Sequence, residues 1–558
     1  MVQLKHEPAR NVPGSTGAKK ILLTSVCQPL GVRYGDSPSV GYELLHEQVT
    51  RAQGMFSPRA TIHHFSLEYV AHNLETPTTV LQYPTKKQFI RELKKGYDYV
   101  GISFVLSIFD RMKQMSELVR KYSPNSKIIL GGYGTVLKDE ELAPYGDYFC
   151  REEGVGFLRK LLNEPLQKPF EHPLITNGLR VFSLPIGNNG MVFGGLGCPN
   201  GCDFCCTSYF FKRKHIRLLQ EGDDIFELIQ RYRASDPTMK FTVLDEDFLL
   251  NQKRARRFLQ LVRESGQAPP CMFVFGSIKA LSQYTITELL EMGVTGVWIG
   301  YEGTRSGYAK QEGCDPRELF KEFRDHGIHI LASFVIGFDY QDEKVIEGEL
   351  NDLLELTPTF TQILIYGPTP GTPFYDRVMQ EKRLCTELTE DRDLYYKKCT
   401  GFYGMVKHPS LSSAQLEQIQ SNCFRKDFEK LGPSIVRSVE AWWKGYFKLV
   451  DDPNPLLRKR AEIYCQDILN AMPMFLAARL LGPSKEARQR ADRLYREIRK
   501  VWKTNPVKHH MESWIALGAA VWTGICLKYG WFQHPKGVRM QYHFDRVGSH
   551  GSPGQAGG

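Results

Sequence analysis

From about Met191 to Phe402, short apolar runs alternate with amphipathic stretches in a pattern that few architectures accommodate. Met191–Gly194, Lys240–Leu244, Met272–Gly276, Gly296–Gly300, His329–Ile336 and Gln362–Tyr366 read as strands. Between them, Asp223–Tyr232, Lys253–Ser265, Thr285–Met292, Pro316–His326 and Asp342–Leu356 place apolar residues at helical spacing. Repeated strand–helix units predict a full or partial βα barrel, TIM-like, with function on the loops at the C-terminal ends of its strands.

A second α/β pattern precedes it. Lys20–Thr24, Thr61–Phe65, Asp98–Ser103, Lys127–Leu130 and Asp147–Cys150 read as strands, with helical stretches such as Gln88–Lys95 and Phe109–Tyr122 between them. Near-continuous Ile, Leu and Val runs separated by helices predict a doubly wound, Rossmann-like parallel sheet. The polar stretch from Asn163 to Asn189 reads as a linker. From about Pro409 to Phe544 the pattern is helical. Ser484 is a candidate N-cap for a helix Lys485–Lys503, with Ala487, Ala491, Leu494, Ile498 and Val501 on one face and many Arg and Lys on the other. Such a helix packs on a barrel or rests on an anionic membrane. The expected division is a flexible segment 1–19, a Rossmann-like domain 20–162, a linker 163–189, a barrel 190–405, a helical region 406–545 and a Gly/Ser-rich disordered tail 546–558.

Charge and cysteine content narrow the setting. A formal charge of +10 over 558 residues permits an anionic partner without demanding one. The 13 cysteines are odd in number, and Met1–Lys19 has no apolar core of the secretory kind. A disulfide framework is therefore not expected, and a reducing, cytoplasmic setting is. No apolar run reaches the ~18–20 residues that span a bilayer. The nearest, Trp514–Leu527, suits a buried helix or one lying in a membrane interface, so peripheral membrane contact stays open. No phosphate-binding loop, Ser-His-Asp pattern or zinc-protease motif occurs, and no aromatic-interleaved basic patch argues for nucleic acid. His509 and His510 read as surface residues.

Four of the 13 cysteines fall within nine residues, in Cys198-Pro-Asn-Gly-Cys202-Asp-Phe-Cys205-Cys206. Pro199 and Gly201 break the segment into a loop that can wrap three thiolates around one object. Iron–sulfur clusters normally take four thiolates, so three leave one iron open to another ligand. A zinc site completed by Cys206 or a distant His is the alternative, although zinc sites usually pair C-x-x-C units and a second pair is absent. Cys206 reads as a spare thiol or a buried one.

The C-x-x-x-C-x-aromatic-C motif after the first strand of a βα barrel resembles the radical S-adenosylmethionine (SAM) enzymes. The resemblance implies a 4Fe-4S cluster on Cys198, Cys202 and Cys205, whose open iron takes SAM and whose electron cleaves it to a 5′-deoxyadenosyl radical. It also implies SAM contacts at Phe204, at Asp245, Glu246 or Asp247 in Leu244–Phe248, at Ser277, at Glu302 and at Phe334. Solvated turns and caps would explain the acidic residues equally. Pro368–Tyr375 resembles a loop of family members that carry an N-terminal cobalamin domain.

The first region resembles that cobalamin domain. Tyr97–Ser103 and Ile128–Gly134 are strand-like and end in small residues, which let a large flat ligand approach the sheet edge. The resemblance implies cobalamin contacts at Ser103, Gly131, Gly132, Gly134 and, in Glu152-Glu153-Gly154, at Glu153. The D-x-H-x-x-G motif is missing, with Pro38 in Asp36–Gly41 where its histidine would stand. Retained cobalamin and a domain that keeps only the fold are both compatible with this.

The resemblance implies methyl transfer to an unactivated carbon of a small-molecule or lipid substrate, with an electron donor such as flavodoxin or ferredoxin. The alternatives are non-methylating radical chemistry (carbon–carbon bond formation, cyclisation or rearrangement) and a non-catalytic cobalamin- or metal-binding regulator. No individual catalytic residue is identifiable from the sequence.

Overall fold

The computed structural model describes residues 19–28, 45–60, 63–303, 305–503, 505–531 and 536–544. The segments expected to be flexible or disordered at either end, and the Asp36–Gly41 stretch, lie outside these residues.

The barrel pattern folds into one eight-stranded sheet. Leu184–Val192, Lys240–Val243, Met272–Gly276, Val294–Glu302, His329–Ile336 and Phe360–Ile365 run parallel in chain order. Phe360–Ile365 is one edge and Arg59–Ala60 the other, so the barrel is partial. Every expected strand and helix of this region is present, most with ends shifted by a residue or two. The repeat alone limits the choices, because helices such as Gln252–Ser265 and Glu343–Glu355 bury one apolar stripe each against the sheet.

The expected linker is not simply a linker. Thr176–Val181 pairs antiparallel with Leu184–Val192 as a hairpin, and extends the barrel sheet. Its turn, Phe182-Ser183, has positive φ at both residues (50° and 62°). Hairpins usually place Asn or Gly there, so the sequence carried no turn signal. Left-handed backbone costs a non-glycine residue about 1–2 kcal/mol. Burial of Phe182 against Phe56 (ring centroids 5.5 Å apart) and a hydrogen bond between the Ser183 and Thr523 hydroxyls (2.9 Å) oppose that cost.

The first region forms a six-stranded sheet. Its five parallel strands lie in the order Thr78–Gln82, Ile21–Thr24, Tyr99–Ser103, Lys127–Gly131, Tyr148–Phe149. This 2-1-3-4-5 order is that of flavodoxin-like doubly wound sheets, which bind ligands at the carboxyl ends of their strands. The expected strand Thr61–Phe65 is corrected. Phe65 begins the helix Phe65–His72, Thr61 and Ile62 lie outside the described residues, and Thr78–Gln82 takes the place in the sheet. Thr-Thr-Val-Leu-Gln is buried throughout, and its polar residues hide the strand from an apolar-run reading.

The region after residue 406 is helical up to Lys528, but Val538–Tyr542 returns as an antiparallel edge strand on Thr78–Gln82. Arg539 of that strand donates two 3.0 Å hydrogen bonds to the buried Glu92 carboxylate. Ser484 caps Lys485–Val501 by accepting from the Ala487 amide (3.0 Å), and Ala487, Ala491, Leu494 and Ile498 are buried, while Val501 is exposed. The last helix, Pro506–Lys528, buries small residues such as Ser513, Ala516, Ala520 and Thr523, and turns Met511, Trp514, Ile515, Val521, Trp522 and Ile525 outward. Among the described residues no helix is long and apolar enough to cross a membrane. His510 is exposed as expected, but His509 is buried, with Nε2 3.0 Å from the Tyr495 hydroxyl.

Candidate functional site

The cysteine loop sits at the C-terminal end of the first parallel barrel strand, and its shape follows from its glycines. Gly197 and Gly201 have φ of +82° and +71°. A Cβ on Gly197 would stand 2.3 Å from the Lys214 carbonyl, and one on Gly201 2.5 Å from Arg213 Nε. Ser208 ties the loop from below, donating to the Cys198 carbonyl (2.7 Å) and accepting from the Gly201 amide (3.1 Å). All 13 cysteines are free thiols. Burial pushes the Cys198 thiol up to about 11 and also raises Cys202 and Cys205, while the Lys310 ammonium favours thiolate at the latter two. Loading a metal here would therefore release protons. Cys206, at the start of a short helix, is pushed up to about 12 by burial.

Among the described residues no three His, Cys, Asp or Glu side chains could hold a single metal ion. A cluster takes one thiolate per iron, and its ligands stand farther apart than those of one ion. One buried and two half-buried thiols on one glycine-broken loop, beside a lysine, fit such a group in donor chemistry.

Asp203, between Cys202 and Phe204, anchors the loop to the far side of the barrel. It accepts from the hydroxyls of Tyr308 and Tyr366, each at 2.7 Å, and from Arg377 at 3.2 Å. The Pro368–Tyr375 segment joins this clamp, because the Phe374 amide donates to the Asp203 carbonyl (3.0 Å) and its ring stacks on Tyr366 (3.7 Å). Phe204 packs edge-on to Tyr308 and Tyr366, at 5.5 and 5.8 Å.

The acidic residues after the second parallel strand divide by role. Asp245 is fully buried, with Oδ2 in a close ion pair with Arg254 and 3.4 Å from His215 Nε2, whereas Oδ1 makes no hydrogen bond. Arg254 also donates to the carbonyls of Gly194 (3.0 Å) and Leu219 (3.3 Å), so the pair braces the base of the cysteine loop. Burial, then the neighbouring Asp245, pushes the Glu246 carboxyl up to about 7. Asp247 accepts from the Asn200 side chain (3.1 Å) and the Ser277 amide (3.3 Å). The Ser277 hydroxyl accepts from the Ala280 amide (3.1 Å), as the cap of Ile278–Leu281. Glu302, at φ +55°, forms a buried ion pair with Lys310. Burial opposes the Lys310 charge, but Glu302 and Cys202 hold its pKa above the ordinary lysine range. Phe334 is turned into the helix-facing core beside Tyr301 (6.5 Å), and its neighbour Val335 lines a cavity of about 340 Å³ together with Phe204 and Val105. Strand alternation explains the difference, since successive side chains face opposite ways.

Across from the cysteine loop, a cavity of about 240 Å³ opens at the edge of the first sheet, lined by Ser103, Gly131, Gly132, Glu153 and, from the barrel side, Phe210 and Phe211. A Cβ on Gly131 would meet nothing within 4 Å, so this glycine keeps the cavity floor open. A Cβ on Gly132 would stand 2.5 Å from the Phe104 carbonyl, and one on Gly134 2.1 Å from its ring. Glu153 caps the helix Gly154–Leu162, accepting from the amides of Val155 (2.6 Å) and Gly156 (2.7 Å). Tyr133 bridges the two regions, 5.2 Å from the Phe210 ring. An open sheet edge with a small-residue floor fits part of a large planar cofactor.

Lys310, Asp203, Tyr133, Arg254 and His215 were not identifiable beforehand. Lys310 lies eight residues beyond Glu302 in a polar loop, and only folding brings it to Cys202.

No protein-family model matches the chain. Over 283 residues it is 23% identical to an uncharacterised methyltransferase of Pyrococcus horikoshii, covering 46% of this chain and 58% of that one. Over 195 residues it is 27% identical to a biotin synthase of Corynebacterium jeikeium, covering 32% and 51%. The chain thus spans a little over half the length of these curated relatives. The solved structure of TsrM from Kitasatospora setae, a radical S-adenosylmethionine methyltransferase with cobalamin and a [4Fe-4S] cluster bound, matches 87% of this chain and all of that one. The TM-score is 0.50 and the identity 13%, a likeness of fold.

Proposed function

We propose that this chain, whose fold is that of the radical SAM proteins with an N-terminal cobalamin-binding-type domain, is a cobalamin-dependent radical SAM methyltransferase acting on an unactivated carbon. The observation that carries the reading is the opposition of the two sites. A three-cysteine loop and an open sheet-edge cavity face one another across Tyr133, Phe210 and Phe211. When bound, the cluster and cobalamin supply the electron that cleaves SAM and the methyl group that is transferred. The chain's own residues bind and orient. Cys198, Cys202 and Cys205 are the cluster ligands, and Lys310 offsets the thiolate charge. Glu246, just past the end of the second parallel strand, and Phe204, next to Cys205 in the loop, are the residues left for SAM. Ser103 and Gly131 admit cobalamin to the sheet edge. The substrate is a small molecule or a lipid, and the electron comes from a donor such as flavodoxin or ferredoxin. The test is anaerobic reconstitution with iron, sulfide and hydroxocobalamin, followed by desalting and metal analysis. About four irons with stoichiometric cobalt is the expected result. A full cluster without cobalt would demote the first domain to a scaffold and favour non-methylating chemistry, and no cluster would remove the reading.

The outward face of Pro506–Lys528 favours peripheral contact of this cytoplasmic enzyme with a membrane. Trp514, Ile515, Trp522 and Ile525 form an exposed apolar stripe, flanked by exposed Lys500, Lys503, Lys508 and Lys528. Apolar faces edged by lysine suit an anionic bilayer surface. The chain should sediment with phosphatidylglycerol vesicles. Recovery in the supernatant, or a dimer that Trp514→Ser and Trp522→Ser dissociate, would replace the bilayer with a protein partner.

A further inference from the structure

The strongest feature outside the cysteine loop and sheet-edge cavity is the inside of the barrel. Barrels of this kind are usually filled by layers of side chains. Here a cavity of about 360 Å³ remains, walled by Met191, Leu244, Phe273, Phe275, Trp298 and Leu331. Several polar atoms in and behind its wall are already paired, whereas Ser434 Oγ, also in the lining, is buried without a hydrogen-bond partner. Trp298 Nε1 donates to Ser333 Oγ (2.7 Å), Ser333 Oγ to Gln362 (2.8 Å), and the Asn189 amide to Thr242 Oγ1 (2.6 Å). Water needs two to four free polar partners to occupy a void, so such a space suits an apolar guest.

The shape is elongated. Lys240, at the N-terminal end of the second parallel strand, and Leu244, just past its C-terminal end, both line the cavity. Four residues of strand span about 13 Å. The upper end, at Leu244 and Phe275, adjoins Asp245–Asp247 and Ser277. The lower mouth is marked by Ile186, 46% exposed, and by the Lys240–Asp467 ion pair (2.7 Å). Phe56 and Val181 line the wall near this end, and share one apolar core with Ala516 and Ala520, the inward face of Pro506–Lys528. The helix with the outward tryptophans therefore backs directly onto the cavity wall.

We infer that the barrel interior binds a long hydrocarbon chain, entered from the end opposite the cysteine loop, with a polar head group left at the Lys240–Asp467 mouth. This narrows the substrate of the reading above to a lipid, and rests on that reading for the chemistry at the upper end. A compact polar substrate would find little beyond Ser434 Oγ to pair with in the barrel, and an extended apolar one is guided along its strands.

The test uses the full chain with its cluster reconstituted, titrated anaerobically with cis-parinaric acid, a long-chain fatty acid whose fluorescence rises in apolar surroundings. Saturable binding at one site is expected, displaced by hexadecanol and not by hexanol. Leu331→Trp, which fills the interior, should abolish it. Ile186→Glu, at an exposed position that folding tolerates, should weaken it by about tenfold or more. No saturable binding, or binding that neither substitution alters, overturns the inference. Iron content and SAM cleavage measured on the same samples separate the two claims. Parinarate binding without a cluster would remove the radical SAM reading alone, and a competent cluster without parinarate binding would remove the lipid alone.

Discussion

At the edge of the N-terminal sheet the cavity is lined by Ser103, Gly131 and Gly132. At the corresponding edge of the barrel sheet, Asp245 is paired with Arg254 and His215, and Glu302 with Lys310, nearly all of them buried. Both edges are C-terminal ends of parallel strands, where α/β folds place their ligands. The difference matches what each edge would hold under the proposed function. A planar cofactor needs space and backbone proximity, which glycine provides. Thiolates and the charged ends of SAM need opposite charges, held rigidly because a buried unpaired charge is costly. One edge is thus shaped by what is missing from its side chains and the other by charges that cancel.

The largest test of this contrast is at the cysteines. Cys198→Ala, Cys202→Ala or Cys205→Ala should each reduce SAM cleavage to background, read as loss of 5′-deoxyadenosine, while cobalt binding at the other edge persists. Loss of both together would mean that the edges are one cooperative site.

Next is Arg254→Met. It strands the buried Asp245 carboxylate and should cost about 3–5 kcal/mol, measured by denaturant unfolding. Among the described residues, the lining of the N-terminal edge holds no buried ion pair of this kind, so a small effect here would weaken the contrast.

A smaller effect is expected at the glycines. Gly134→Ala brings a Cβ to 2.1 Å from the Phe104 ring, and overpacking of this kind costs about 1–3 kcal/mol. Gly131→Ala meets nothing within 4 Å, so it should leave the melting temperature unchanged and lower cobalamin retention. If Gly131→Ala also destabilises the fold, the open floor is not an open floor.

The smallest effect is one of pH, on the strand that closes the N-terminal sheet. Burial alone would raise the Glu92 carboxyl, but hydrogen bonds from Arg539, Lys95 and Tyr97 outweigh it and hold it at about 2, below its ordinary 4.5. A depressed carboxylate stabilises above its unfolded value and loses that contribution as pH falls. Between about 4.5 and 2 the Val538–Tyr542 strand should therefore loosen before the barrel does. Hydrogen exchange corrected for the intrinsic pH dependence would show it, and Glu92→Gln should produce the same loosening at neutral pH.

The βα repeat and the cysteine spacing were legible because each is a local pattern. The period of apolar residues sets strand or helix, and one loop carries all three thiols. The contacts of the candidate site residues are not local and were not legible in the same way. Ser277 and Glu153 cap helices and Phe334 faces the core, contacts that spacing along the chain does not reveal. Motif position identifies a place on a strand, and alternation then decides which way the side chain points.

By itself the sequence determined two α/β regions and a loop carrying three closely spaced cysteines, because these depend on spacing along the chain. Tertiary structure alone decided that Lys310 meets Cys202, that Asp203 is clamped from three sides, that Val538–Tyr542 closes the first sheet and that the barrel keeps an apolar interior. Each of these joins residues far apart in sequence, and burial and charge pairing depend on which surfaces the closed chain brings together rather than on any repeat within it.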